Sequence, residues 1–119
     1  MLRCCLVAAL SLFTSGALAQ DVTFLLTNST SYPISEMHLS PPNLNFWGHN
    51  SLRAPALKVG ESHQVSVAPY ATECIQDILV VFADNASQAI WQGLNMCNLT
   101  RISLFFDRIS GVTTAKYNE

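Results

Sequence analysis

The stretch ECIQDILVVFADNASQAIWQGLNMC, residues 73–97, decides how the chain is read. Ile75 to Ala83 carries apolar residues on both faces, as a centrally placed strand does. Asp84-Asn85-Ala86-Ser87 is turn chemistry, and Gln88 to Gln92 runs back. With Ala83 and Gln88 flanking the turn, Val80 faces Trp91, Ile78 faces Gly93, and Cys74 falls opposite Cys97. Opposed residues of an antiparallel pair lie about 4.5–5.5 Å apart at Cα, within reach of a disulfide. The spacing therefore predicts a Cys74–Cys97 disulfide at the open end of a hairpin. In the chain-entropy picture, closing such a loop contributes roughly 3–3.5 kcal/mol. The pair is not CxxC, and two cysteines supply half of a tetrahedral set with no histidine at ligand spacing nearby, so neither a redox nor a metal role is expected. The register also gathers Ile78, Val80, Phe82 and Trp91 on one face, a wall of core, and Gly93 leaves room for a bulky neighbour.

The same β pattern extends outward in both directions. Val22 to Thr27 is rich in strand formers and ends at the polar cluster Asn28-Ser29-Thr30-Ser31. Ile34 to Leu39 alternates, with Ile34, Glu36 and His38 on one face. Ser40-Pro41-Pro42-Asn43 stops that run, since proline cannot donate to a ladder. Asn43 is placed to cap a short helical turn over Leu44 to Trp47, closed by Gly48. His63 to Val67, Arg101 to Asp107 and Val112 to Tyr117 complete the pattern. About seven short strands without a long helical period predict an all-β domain, a compact antiparallel β-sandwich or small barrel with one disulfide and that helical turn.

Residues 1–19 have the layout of a removed signal peptide. A basic Arg3 precedes the apolar run Cys4 to Phe13, and Ala17-Leu18-Ala19 is a fitting cleavage site. That run is too short to span a bilayer, and no later segment is long and apolar enough to do so. The domain then comprises residues 20–119, and its two cysteines suit an oxidising, exported location, periplasmic or extracellular. Over the whole chain, six basic residues face eight acidic ones. With no basic cluster, nucleic acid and anionic membrane surfaces are not expected partners. A chain that is 50% hydrophobic and only 12% charged folds rather than staying disordered.

Few residues form a pattern that carries chemistry. His38, His49 and His63 are dispersed, with no HxH or HExxH spacing, and no metal or cofactor is expected. Asp77 interrupts the apolar face of Ile75, Leu79 and Val81, and is read as solvent-facing or paired with an arginine such as Arg101. No serine sits in GxSxG or SxxK, and no glycine-rich loop could cradle phosphate. Asn28, Asn85 and Asn98 each begin a glycosylation sequon. The segment Leu44 to Asn50 joins Phe46, Trp47 and His49 to several asparagines in one long connection. Such aromatics are either a plug at one end of the sandwich or a contact surface for protein or carbohydrate.

The order Asn28, Tyr32-x-Ile34, Ser40-Pro41, Trp47-Gly48, Leu52, Leu57, Gly60, Cys74-x-x-Asp77, Trp91-x-Gly93-x-Asn95-x-Cys97 resembles a family of small exported proteobacterial proteins of uncharacterised function. The C-x-x-D…W-x-G-x-N-x-C half is its most specific part. The resemblance implies a compartment, a domain size and an unglycosylated product, but no activity. The sequence thus leads to a binding or interaction module in the cell envelope, rather than an enzyme, with Phe46, Trp47 and His49 at its contact surface. Two alternatives stand beside it: a small exported inhibitor of a hydrolase, and a small hydrolase using Asp77 with His38 or His63.

Overall fold

Strand-forming runs separated by polar turns give, among the described residues, seven strands in two packed sheets. The computed structural model describes residues 22–53, 55–67 and 74–118; the expected signal peptide lies outside them. The strands are β1 (Val22–Asn28), β2 (Ile34–Ser40), β3 (Ser62–Val67), β4 (Ile75–Phe82), β5 (Gln88–Asn95), β6 (Arg101–Asp107) and β7 (Val112–Tyr117). One sheet has the order β3-β1-β6-β7 and the other β2-β4-β5. The expectation of a wholly antiparallel fold is corrected at one place, because β1 and β6 run parallel. The small-barrel option falls as well, since the two sheets remain separate.

Between the sheets lies one core. Phe24 and Leu26 of β1, Ile102 and Leu104 of β6, and Val65 of β3 face Met37 of β2 and Ile78, Val80 and Phe82 of β4. Phe82 stacks on Phe106 at 5.3 Å, and Tyr32 meets Phe82 edge-on at 5.7 Å. Such aromatic pairs add about 0.5–1.5 kcal/mol beyond the area they bury. Asn28 is buried among these apolar groups, and its amide is fully used. Its Nδ2 donates to the carbonyls of Tyr32 and Leu57, and its Oδ1 accepts from the Thr30 N–H. An asparagine held this way cannot carry a glycan in the folded protein, whereas Asn85 and Asn98 are exposed.

Two bulges revise the expected registers. In β2, Ser35 is an extra residue between the pairs Ile34–Phe82 and Glu36–Val81. That turns Ile34 into the core beside Met37 and Leu39, instead of leaving it on the face of Glu36 and His38. In the β4–β5 hairpin, Trp91 faces Ile78 and Ala89 faces Val80, not the expected Val80–Trp91 and Ile78–Gly93 pairs. The turn has the expected length but sits one residue earlier, over Ala83 to Ala86: the Phe82 N–H donates to the Ser87 carbonyl, and Ala86 adopts a left-handed φ of 61°. The faces survive because the error is two residues, one full period of a strand. A bulge at Gln92 and Gly93, opposite Asp77, then shifts the pairing so that Ile75 faces Asn95. Beyond it the Cys74–Cys97 disulfide forms, with its Cα atoms 5.1 Å apart, as the spacing predicts.

Candidate functional site

The residues after β2 have no room to continue as a strand, because Pro41 and Pro42 end the ladder. The Leu44 N–H closes a turn onto the Pro41 carbonyl. The helical turn expected over Leu44 to Trp47 does not form. Asn43 and Asn45 take φ values of 64° and 49°, which break any right-handed helical course. Asparagine tolerates that conformation better than most residues, so the asparagines act here as corners, not as a helix cap.

Several hydrogen bonds tether this loop to the outward face and edge of the β2-β4-β5 sheet. Asp77 is only 2% exposed, and each of its oxygens has a backbone partner. Oδ2 accepts from the Asn43 N–H at 2.9 Å, and Oδ1 accepts from the Gly93 N–H at 2.8 Å. One carboxylate therefore joins the loop to the bulge of β5, where Gly93 has a φ of 70°. Ser40 Oγ accepts from the Phe46 N–H at 2.9 Å. The Gly48 N–H donates to the Leu39 carbonyl, and the Gly48 carbonyl lies 2.7 Å from His38 Nδ1. That carbonyl only accepts, so Nδ1 is the donor. His38 Nε2 lies 2.8 Å from Glu36 Oε1. Asp77 and Leu79 share a face of β4, and His38 is paired with Leu79. The loop is thus anchored at two residues adjacent to Leu79, which is only 7% exposed although it points away from the core.

Past the loop, the chain lies along the free edge of β2. Asn50 Oδ1 accepts from the Met37 N–H in place of a strand carbonyl, and the Ser51 N–H donates to the Met37 carbonyl. Ile34 and Leu57 exchange both of their backbone hydrogen bonds. Covering an edge in this way blocks pairing with another chain.

The loop is held by backbone groups, while its apolar side chains at 44 and 46 stand in solvent. Phe46 is 74% exposed and Leu44 is 66% exposed. Trp47 is half-buried and His49 exposed, and neither Phe46 nor Trp47 belongs to the core. The expectation that Phe46 plugs one end of the sandwich is therefore corrected: it stands in solvent. The residues of the hydrolase alternative are turned to other partners. Asp77 holds the two backbone N–H groups, His38 holds Gly48 and Glu36, and His63 lies on β3 in the other sheet, 3.8 Å from Glu61. Among the described residues no group of three or more His, Cys, Asp or Glu is arranged to hold a metal ion.

The opposite end of the sandwich holds a cluster that sequence reading missed. Arg108 forks onto Asp84 at 2.9 and 3.1 Å and lies 3.5 Å over the Tyr32 ring. The hydrogen bond from Arg108 holds the Asp84 carboxyl below its ordinary range, and the same bond raises the Arg108 guanidinium. The Ile109 and Ser110 N–H groups lower Asp107 in the same direction. Nothing in the sequence signals this triad, because its members are far apart along the chain.

No protein-family profile matches the chain, and no curated protein matches it. Among solved structures, it is similar to one described as the NMR structure of the protein from Eubacterium rectale. The TM-score is 0.56 at 12% identity, over 87% of this chain and 96% of that one. The likeness is one of fold. No helix among the described residues is long and apolar enough to cross a membrane.

Proposed function

We propose that the domain is an exported binding module whose contact surface is the loop at residues 43–50. Exposure of Phe46 on a loop pinned through its own backbone carries this reading. A contact residue held in place before binding loses little conformational freedom on binding, which favours affinity. The disulfide and the layout of the first nineteen residues support export, and the resemblance to small exported proteobacterial proteins points to the cell envelope as the place of action. The inhibitor reading draws on the same tethering, since a rigid scaffold presenting an apolar loop is what occupying a hydrolase cleft requires.

The test is a pull-down from a cell-envelope extract with the parent protein, Phe46→Ser and Trp47→Ala. Unchanged denaturation midpoints establish that the variants fold. Loss of captured protein or polysaccharide in both variants is the expected result. Retention of every bound partner by both folded variants refutes the assignment of the loop. Enrichment of one hydrolase whose activity falls on adding the parent protein selects the inhibitor reading.

A further inference from the structure

A second surface, independent of the loop, lies where the two sheets meet along β5 and β7. Two side chains staple this seam. Trp91 Nε1 donates to the Thr114 carbonyl at 2.8 Å, and Thr113 Oγ1 donates to the Ile90 carbonyl at 3.0 Å. Above the staples runs an open trough of about 370 Å³, flanked by Ile90, Gln92, Leu94, Thr113 and Tyr117, with the buried Trp91 as its floor. A second trough of about 250 Å³, bordered by Gly93, Asn95, Asn98 and Asn118, meets it at the same Tyr117. The two troughs share Tyr117 as a wall. The larger falls within the ~300–1,000 Å³ usual for ligand sites.

The lining restricts the ligand. Among the described residues, no acidic, basic or histidine side chain borders either trough. A phosphate, a nucleotide or a charged peptide would surrender its hydration there without gaining a counter-charge. The border is instead made of amides and hydroxyls interleaved with Ile90 and Leu94. Tyr117, 38% exposed, offers a ring face, and burial pushes its phenol up, so the hydroxyl stays protonated at neutral pH. Backbone pairing by an inserted strand is opposed, because the staples already use the carbonyls of Thr114 and Ile90. What remains is recognition by neutral side-chain hydrogen bonds around an aromatic face. That suits a molecule with many hydroxyls and apolar C–H faces. We infer that the β5–β7 groove is a binding site for a neutral oligosaccharide, centred on Tyr117.

The probes are cellohexaose, laminarihexaose and chitohexaose, titrated separately into the isotope-labelled mature protein and followed by amide NMR. A neutral Thr-Val hexapeptide serves as the competing probe. The expected result is saturable movement of the Gln92, Gly93, Asn98 and Tyr117 amides with at least one sugar. Tyr117→Ala should weaken that binding roughly tenfold, the worth of one aromatic contact. Gln92→Ala, at an exposed position, gives a second reading should Tyr117→Ala fail to fold. Phe46→Ser should leave the titration unchanged, so failure here and failure of the loop assignment are told apart. The inference is overturned if all three sugars leave these amides unmoved at millimolar concentration. Movement caused by the peptide and by no sugar overturns it equally.

Discussion

Replacing Asp77 by asparagine tests the central tether by changing little besides one oxygen. The carboxylate accepts two backbone N–H groups, from Asn43 and Gly93, at 2.9 and 2.8 Å in a site only 2% exposed. Asparagine keeps one acceptor and turns an NH₂ group toward the other donor. One hydrogen bond to a charged group is lost, worth about 1.5–3 kcal/mol, and the stranded buried N–H costs about 1–3 kcal/mol more. The sum is about 4 kcal/mol, a large share of the ~5–15 kcal/mol that holds a domain of this size together. At a urea dependence near 2 kcal/mol per molar, the denaturation midpoint falls by roughly 2 M. Hydrogen exchange should quicken first at the Asn43 and Gly93 amides. A midpoint within about 0.3 M of the parent, with those two amides equally protected, would refute the view that this carboxylate joins loop and hairpin.

Other outcomes follow from the same geometry. Trp91→Phe keeps the buried ring but removes the Nε1 bond to Thr114, so thermal unfolding should show a loss of about 1 kcal/mol and Thr114 should gain exchange at its neighbours. The Cys74→Ala/Cys97→Ala double variant should be less stable than the oxidised parent by roughly 2–4 kcal/mol in guanidinium titration, and the parent should fall to match it on adding a reductant. Asp84 and Asp107 titrate below their ordinary value of 3.8 in the folded protein. The unfolded chain therefore binds protons first as the pH drops. Their contribution to stability is complete above that value and is lost as the pH falls through their depressed range. Urea midpoints measured from pH 6 to pH 2 should decline, and the decline should flatten in Asp84→Asn/Asp107→Asn.

The strands were legible because each is short, half-buried and bounded by turn residues, from Val22 to Tyr117. The disulfide was legible because both cysteines close one hairpin. Register was not, because it depends on an alanine, Ala86, taking a left-handed conformation that no composition signals. Nor was the extra residue at Ser35, whose hydroxyl bonds to Val81 only once the strands have met. Asp77 stood out as an acid interrupting an apolar face, but it is buried and not solvent-facing as expected, because it accepts from backbone groups 34 and 16 residues away that have no sequence signature. The loop at 43–50 was marked by its aromatics. Whether they pointed in or out was settled by the corners at Asn43 and Asn45, which a capping rule reads as the start of a helix.

The way this loop is held also separates what it displays from what fixes it. The groups gripped at Asn43, Phe46 and Gly48 are main-chain N–H groups, which every residue except proline supplies. Positions 43 and 45 favour asparagine or glycine for their backbone angles, but the exposed side chains at 44, 46 and 49 are free of any part in that grip. Descendants of this chain can therefore exchange those three side chains and meet new partners without re-evolving the scaffold.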